Sequence, residues 1–430
     1  MKIKVAYLVW NEAIVNNSIF NNQVINQIKQ IQNSYKDVDV TLIIGFPLFP
    51  YLVKHRRDKK KRNEIFSFLM ELRKQQVIKV KVFYNIFAFS FNSKFYFFPL
   101  HYLFGLFSFL FLQRKQRFDI IHCRSYHACF VGCITKSVYK YPKVIFDTRG
   151  RFPEEGVFRG SYTEASYSFR FWKKIEKYLL KTSDSIVNVA HTFSDILEQE
   201  YPFIKNKNFT IYTSTNTQVA ASEKKMKAGN KLVFIGEISF NGGYNITDIV
   251  DFYLIYREIV FNPSLIIITK SDRQPIRKLI QENGIEREFE IFSTNSFDES
   301  YSILSACKFG FAFLDRGNEM LMKSLAPTVI AAKTGDYLFS GLPLIYDELI
   351  GGVNYLIRNY HLGMLVNKPF NKDEIQAKLS ELLNNYNEVS NSCTQFALEF
   401  FSSEKNAERY FNIYTTLVKD TVIVNKPLPV

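Results

Sequence analysis

The chain has 430 residues, of which 47% are hydrophobic and 22% are charged, a balance that excludes a disordered chain and allows sizeable cores. Aromatic residues make up 16%, which excludes a fibrous or low-complexity protein. The net charge of +14 is uneven, because residues 1–215 carry 33 basic and 16 acidic groups and the remainder carries 22 and 25. The length predicts two or three domains, and we expect the basic half to face an anionic partner.

The first half alternates short apolar strands with helical stretches. Helices are predicted at Ser18–Ser34, Glu64–Lys74 and Tyr162–Lys181. The predicted strands, in chain order, are Lys2–Trp10, Val38–Gly45, Val77–Tyr84, Phe118–Cys123, Lys143–Asp147, Ser185–Ala190 and Phe209–Tyr212. Strands separated by helices indicate a parallel sheet.

The second half repeats this alternation after a polar stretch at residues 216–230, which we interpret as a linker. Its predicted strands are Lys231–Gly236, Ser264–Thr269, Phe289–Phe292, Phe309–Leu314, Leu344–Tyr346 and Gly363–Val366. The sequence therefore predicts an α/β protein with two Rossmann-like, doubly wound domains, at 1–215 and 231–395, followed by a helical segment at 396–420. We expect the ligand in a cleft between the domains, at the carboxyl ends of the strands.

The uncharged stretch Phe95–Leu112 is about long enough to span a bilayer. It contains Pro99, His101 and Gly105, and a single crossing would split the predicted sheet between two compartments. A buried core helix and a helix lying in the membrane interface are the other interpretations. The basic run Lys54–Arg62 favours the interface, since polybasic segments are attracted to anionic lipid. It also fits a solvated loop, whereas no recognised nucleic-acid module accompanies it.

The five cysteines are odd in number and show no C-x-x-C spacing, which indicates buried thiols in a reducing cytoplasm. The first ten residues fit a buried strand better than a signal peptide. Asp37-Val-Asp39 matches a metal-binding pattern only by its letters, and we expect no metal. The prediction is a cytoplasmic protein held peripherally on the inner face of a membrane.

The segment Lys333–Ile345, KTGDYLFSGLPLI, places Asp336 on a helix that Gly341 ends and Pro343 follows. A carboxylate there can accept both hydroxyl groups of a ribose, while the amino end of the helix attracts a diphosphate. The segment resembles the K-x-x-E-Y-L-x-x-G-x-P-V-I pattern of the retaining glycosyltransferases of family-4 type, which have the GT-B fold. Asp336 stands where that family usually has Glu.

The resemblance extends weakly over most of the chain. Phe118–Arg124 is similar to the family's strand that ends in D-x-x-H, which implies that His122 lies near the donor sugar. The loop from Asp147 to Glu155 resembles the acceptor side of a polysaccharide-building branch, which implies acceptor-side roles for Arg124, Arg149 and Glu154.

The chain also departs from the family. Thr328 replaces the first of two acidic residues eight apart. Glu319 is one possible substitute as a catalytic group, and a sugar contact made by the backbone is the other. The loop from Gly236 to Gly243 lacks the Arg and Lys that clamp the diphosphate. The amides of Asn241, Gly242 and Gly243 can form an anion nest, with charge from Lys333, Arg316 or Lys323. The backbone around Phe292 and Ser293 is expected beside the base.

The resemblance implies a glycosyltransferase that moves a sugar from a nucleotide-sugar to a glycan or lipid-linked acceptor with retention of configuration, in surface polysaccharide synthesis. The first domain would bind the acceptor and the second the donor. No cofactor, metal or covalent nucleophile is implied, and the expected partners are the donor, the acceptor and an anionic membrane surface. Two alternatives stay open: a non-catalytic relative that acts as a partner subunit, and a nucleotide-sugar epimerase.

Overall fold

The computed structural model describes residues 2–12, 14–15, 20–54, 56–74, 78–85, 98–215, 229–238, 243–294, 297–317 and 321–419. These residues form two compact units. The first takes its described residues from Met1–Val189, Ser194–Tyr212 and Ser403–Pro429, and the second takes them from Ala190–Phe193 and Thr213–Ser402.

The first unit contains a parallel sheet of seven strands in the order β3-β2-β1-β4-β5-β6-β7. The strands are β1 (Ile3–Trp10), β2 (Val38–Pro47), β3 (Lys79–Asn85), β4 (Ile120–Arg124), β5 (Lys143–Asp147), β6 (Ser185–Asn188) and β7 (Asn208–Thr210). Because every pairing is parallel, the carboxyl ends of all seven strands lie along one edge of the sheet.

A π-helical turn, Asn21–Asn26, leads into the first helix of this half. The helices that follow are α1 (Gln27–Ser34), α2 (Leu48–Lys54), α3 (Lys59–Lys74), α4 (Phe98–Gln116), α5 (Ser125–Tyr139), α6 (Phe152–Phe158), α7 (Tyr167–Thr182) and α8 (His191–Glu200). The last described helix, α16 (Ser403–Lys419), packs against α1 and β1. The first unit is therefore built from both ends of the chain.

Side chains of successive strand residues point to opposite faces of the first sheet. Val5, Tyr7 and Val9 belong to the core under α1 and α16, which also contains Tyr410 and Tyr414. Their neighbour Trp10 is also fully buried.

The second unit contains a parallel six-stranded sheet in the order β10-β9-β8-β11-β12-β13. Its strands are β8 (Asn230–Ile235), β9 (Pro263–Ile268), β10 (Phe289–Phe292), β11 (Phe309–Ala312), β12 (Leu344–Asp347) and β13 (Gly363–Val366). The helices are α9 (Ile246–Ile259), α10 (Arg273–Glu282), α11 (Phe297–Leu304), α12 (Ala332–Phe339), α13 (Gly351–Tyr360), α14 (Lys372–Asn384) and α15 (Tyr386–Phe400).

Helix α12 is held on this sheet by Tyr337. The Tyr337 hydroxyl accepts a hydrogen bond of 2.8 Å from the Ile235 amide, and its ring covers Gly310 of β11. A Cβ atom at Gly310 would lie 2.4 Å from that ring, so only glycine allows this close approach. The contact fixes where the residues of the Lys333–Ile345 segment lie relative to β8 and β11.

The structure confirms the sequence prediction of two Rossmann-like α/β domains, because each of the thirteen predicted strands overlaps an observed strand. Most of the predicted linker, residues 216–228, lies outside the described residues, as do residues 95–97 of the uncharged stretch. Within the described part of the chain, no helix has the length and apolar character needed to cross a membrane.

Candidate functional site

The side chain of Lys333 is buried at the carboxyl edge of the second sheet. Its Nζ lies 3.9 Å from the centre of the Phe234 ring, in β8, and 3.6 Å from the centre of the Tyr244 ring, which lies just beyond the loop after β8. It also lies 3.0 Å from the position that a Cβ would occupy on Gly236, the residue after β8. Lys333 thus starts on α12 and brings its amine to the first loop of the second sheet.

The Lys333 amine has no hydrogen-bond partner among the described residues. Only 7% of the residue is exposed, and this burial holds the pKa of Lys333 well below its usual value. The faces of the two rings attract a cation but do not replace the hydrogen bonds of water. The site therefore contains a buried donor that an anionic ligand would satisfy.

Asp336, one helical turn further along α12, is half-buried. Its Oδ1 accepts a hydrogen bond of 3.1 Å from the Thr215 hydroxyl. Burial raises the pKa of Asp336 to about 7, and the Thr215 hydrogen bond opposes that rise. Gly335 makes this packing possible, since a Cβ there would lie 2.6 Å from Thr215 Oγ1.

Four of the other residues expected at the donor are described, namely Thr328, Phe292, Ser293 and Gly243. The Thr328 hydroxyl is buried and donates to the Leu325 carbonyl at 2.9 Å, so it is engaged within its own turn. Phe292 ends β10, and Ser293 after it is exposed.

The Gly243 carbonyl accepts a hydrogen bond from the amide of Asp315, which joins the loop after β8 to the loop after β11. Asn241, Gly242 and Glu319 lie outside the described residues.

Arg316 is engaged in an ion pair. Its Nη2 lies 3.1 Å from Oδ1 of Asp347, which ends β12, and its Nη1 donates to the Lys368 carbonyl. The charge of Arg316 is thus already balanced by a buried carboxylate, which favours Lys333 over Arg316 as a ligand for phosphate. The side chain of Lys323 lies outside the described residues.

His122, in β4 of the first unit, is completely buried. Its Nδ1 is hydrogen-bonded to the Tyr414 hydroxyl at 2.7 Å, and its Nε2 lies 3.8 Å from Oδ2 of Asp147. Its ring packs against Tyr7 and Tyr410. Burial lowers the pKa of His122 despite the nearby carboxylate. In this unit the imidazole is a neutral core group that links β4 to α16, and it presents no surface to a ligand.

Arg124 and Arg149 come together at the carboxyl edge of the first sheet. Both donate to Oε1 of Gln23, at 2.8 Å from Arg124 and 2.5 Å from Arg149. Arg124 Nε also donates to Oε2 of Glu12 at 2.8 Å, and Arg149 Nη1 lies 3.6 Å from Oδ1 of Asp147. Burial alone would raise the pKa of Asp147, but Arg149 and the neighbouring basic groups hold it below its usual value.

Glu154 lies in a different cluster. It is 5% exposed and pairs with Arg151 at 2.8 Å and with Lys173 at 3.2 Å. Lys173 also pairs with the buried Glu176. Burial and the neighbouring Glu176 raise the pKa of Glu154. This network joins α6 to α7, so Glu154 is not part of the Arg124–Arg149 group with which the sequence placed it.

The described residues contain no cluster of His, Cys, Asp or Glu that could hold a metal ion. The expectation that neither a metal nor a cofactor is needed stays a prediction.

Residues 69–219 match the family model described as Glycosyltransferase Family 4, which covers about a third of the chain and lies mostly in the first unit. No curated protein matches the sequence.

Solved structures match both units. A glycosyltransferase from Rickettsia africae ESF-5 aligns over 98% of this chain and 100% of its own, with 13% identity and a TM-score of 0.65. The Anabaena protein Alr3699/HepE, solved with UDP and glucose, aligns over 96% and 100%, with 12% identity and a TM-score of 0.58. The chain has the GT-B fold.

A putative UDP-N-acetylglucosamine 2-epimerase from Listeria monocytogenes also aligns, over 98% of both chains, with 11% identity and a TM-score of 0.55. The fold alone therefore does not separate transfer from epimerisation. The match to the family model, together with the fold, supports a glycosyltransferase.

Sequence reasoning missed Glu12, Gln23 and Asp147 as members of the polar group at the edge of the first sheet. The available signal was positional, because Glu12 and Asp147 stand at or just after the ends of β1 and β5. Gln23 gave no such signal, since it lies on the π-helical turn before α1.

Proposed function

We propose that this GT-B protein transfers a sugar from a nucleotide-sugar donor to a glycan or lipid-linked acceptor with retention of configuration, in the synthesis of a surface polysaccharide. The second unit binds the donor and the first binds the acceptor. The observation that carries the proposal is the buried amine of Lys333 beside Gly236, at the end of the first strand of the second sheet, which has no hydrogen-bond partner in the described part of the chain.

The place of this amine fits a diphosphate. Ligands of doubly wound sheets bind at the carboxyl ends of the strands, and β8 is the central strand from which the sheet order reverses. Departure of the nucleoside diphosphate places negative charge on the phosphate oxygens, which a fixed cation stabilises. The related enzymes are expected to carry a basic pair on the loop after the first strand of this sheet. Here Lys333 reaches the same place from α12.

Asp336 supplies the second donor contact in this proposal. A carboxylate accepts hydrogen bonds from the two hydroxyl groups of a ribose. Because burial raises the pKa of Asp336 to about 7, the carboxyl is only partly ionised at neutral pH and becomes the acceptor fully at higher pH. In this proposal the lysine compensates the charge of the leaving group in place of a metal, and the transfer uses no covalent nucleophile.

A membrane location of the acceptor is supported by α4. Four large apolar side chains of this helix are 43% to 71% exposed, namely Leu103, Phe104, Phe107 and Phe111. Residues 103, 107 and 111 recur at helical spacing on one face, and the exposed Arg114 and Lys115 lie in the last turn. An apolar face beside basic residues fits the interface of an anionic bilayer. The proposed location is therefore peripheral, on the cytoplasmic face of a membrane.

Nucleotide binding tests the donor site. Thermal unfolding of the full chain is measured with UDP, GDP, CDP and ADP and with their common sugars, for the wild type and for Lys333→Met. Lys278→Met is the matched control, since this lysine belongs to the same unit and its side chain is 77% exposed. One nucleotide is expected to stabilise the wild type and the control but not Lys333→Met.

The outcomes separate the alternatives. No stabilisation of the folded wild type by any nucleotide would favour the non-catalytic partner subunit. Conversion of the bound nucleotide-sugar without an acceptor would favour the epimerase. Equal stabilisation of Lys333→Met and the wild type by the nucleotide would show that Lys333 does not bind the diphosphate.

A further inference from the structure

Three adjacent strands of the first sheet are each followed by a residue in the left-handed backbone region. Asn11 follows β1 with φ of 58°, Ser125 follows β4 with φ of 70°, and Arg149 lies two residues beyond β5 with φ of 62°. Such conformations are costly for residues other than glycine and persist where the surrounding structure enforces them. Here they mark one edge of three neighbouring strands, β1, β4 and β5.

The side chains at this edge form one connected group, which we call the Arg124 cluster: Glu12, Gln23, Arg124 and Arg149. Arg124 lies at its centre, because it donates to both Glu12 and Gln23. Gln23 lies on a π-helical turn, a structure that is rare and is often found at functional sites.

Two atoms of the Arg124 cluster are buried without a hydrogen-bond partner in the described part of the chain. One is Nη1 of Arg124, a donor, and the other is Oε1 of Glu12, an acceptor. Arg124 is 5% exposed, so bulk water does not solvate its guanidinium freely. Leaving a buried polar atom unpaired is unfavourable, and these two belong to partners in one ion pair. A ligand that both accepts and donates would satisfy them together.

We propose that the Arg124–Glu12 pair binds two neighbouring hydroxyl groups of the sugar unit that accepts the transferred sugar. One hydroxyl accepts from Arg124 Nη1 and the next donates to Glu12 Oε1, while Gln23 holds the guanidinium in place. This inference rests on the proposed function, to which it adds the class of acceptor: a neutral sugar with vicinal hydroxyl groups.

The charge balance of the site favours a neutral sugar over an anion. Arg124 is paired with Glu12, and Arg149 lies 3.6 Å from Asp147. His122 adds no charge, because burial lowers its pKa. A phosphate or carboxylate would therefore approach two arginines that are already neutralised by two carboxylates. One feature favours an anion: no side chain caps the amino end of α5, so its backbone amides could bind one. The test therefore includes anionic competitors.

The test is saturation-transfer NMR on the full chain with methyl glycosides of glucose, galactose, mannose and N-acetylglucosamine. The variants are Glu12→Gln and Arg124→Lys. The matched control is Asp39→Asn, whose carboxylate pairs with Lys79 near the amino end of β2, at the opposite edge of the same sheet. Thermal unfolding is recorded on each sample to show that it is folded. Nucleotide binding is recorded because both substitutions lie in the first unit and should leave it unchanged.

We expect at least one methyl glycoside to bind the wild type and Asp39→Asn, and both cluster variants to bind it at least tenfold more weakly with nucleotide binding unchanged. Equal binding by the variants, or no glycoside binding by a folded wild type, would overturn the proposal. Displacement of the glycoside by inorganic phosphate or by methyl glucuronide would show an anion site and would overturn the neutral class. Glycoside binding without any nucleotide binding would instead reject the proposed transfer and leave the sugar site in place.

Discussion

The amine of Lys333 and the ring of Tyr244 are in direct contact, with Nζ 3.6 Å from the centre of the ring. Tyr244 lies just beyond the loop after β8, and Lys333 lies in the first turn of α12, almost ninety residues later. The contact therefore joins residues from distant parts of the second unit. Burial of this amine lowers the stability of the second unit, but it leaves the amine available to an anionic ligand.

Lys333→Met is expected to stabilise the second unit near neutral pH, because it replaces a desolvated amine with an apolar side chain of similar length. Folding lowers the pKa of Lys333, so the unfolded chain binds more protons between that lowered value and about 10.4. The wild-type free energy of unfolding should therefore rise with pH across this window. Urea unfolding at about pH 7 and about pH 9.5 should show the advantage of the variant shrinking as pH rises. A constant advantage would mean that Lys333 is not desolvated.

Nucleotide-sugar affinity is expected to rise with pH through the pKa of Asp336, which is about 7. The ribose hydroxyls donate to the ionised carboxylate, so below this pKa each pH unit should weaken binding by up to about tenfold, and above it the affinity should level off. Asp336→Asn should bind weakly and with little pH dependence. Calorimetry should use the intact nucleotide-sugar, since the terminal phosphate of a free nucleotide itself titrates near pH 6. A wild-type affinity that does not change between pH 6 and 8 would remove Asp336 from the ribose.

Removing the His122–Tyr414 hydrogen bond is expected to lower stability. Tyr414→Phe should cost about 1 kcal/mol, and His122→Phe about 2 kcal/mol or more because it also removes the imidazole beside the buried Asp147. A double-mutant cycle from urea unfolding should give a coupling of about 0.5–1.5 kcal/mol. Tyr167→Phe is the control, since its ring is 76% exposed. Loss of sugar transfer with unchanged stability in His122→Phe would instead place the imidazole at the reacting sugar.

The exposed face of α4 is expected to bind anionic bilayers. Replacing both Phe107 and Phe111 with Ser should release the protein from phosphatidylglycerol vesicles in sedimentation assays, with nucleotide binding unchanged. Phe261→Ser is the control, because Phe261 is 91% exposed but lies in the second unit. Wild-type binding should fall as salt is raised, since Arg114 and Lys115 act through screened charges. Equal release by the control, or no wild-type binding, would argue against this face.

The fold could be predicted from the sequence because buried parallel strands are continuous apolar runs, and each such run stands between helical segments. The Phe309–Leu314 and Leu344–Tyr346 runs are examples, and both became neighbouring strands of the second sheet. Lys333 and Asp336 could be found because their pattern lies within thirteen consecutive residues.

The surroundings of these residues could not be predicted, because they depend on strand order. Glu12 and Arg124 are far apart in sequence and meet only because β1 and β4 are adjacent. Arg149 and Glu154 are close in sequence, yet α6 begins between them and turns Glu154 toward Arg151 and Lys173. The resemblance implies acceptor-side roles for both residues, and the structure places their side chains in two different polar groups.

The position of α16 has a consequence for synthesis on the ribosome. Tyr410 and Tyr414 cover His122 and complete the core of the first unit, but they are translated after the whole second unit. Until α16 has been made, the nascent first sheet exposes the apolar face that Tyr410 and Tyr414 later cover. Asp147, which is buried in the complete fold, is also not yet covered. The second unit can fold as soon as it leaves the ribosome, whereas the first unit can complete its fold only after α16 has been made. We therefore expect chaperones to hold the earlier-made half of the chain for longer than the later-made half.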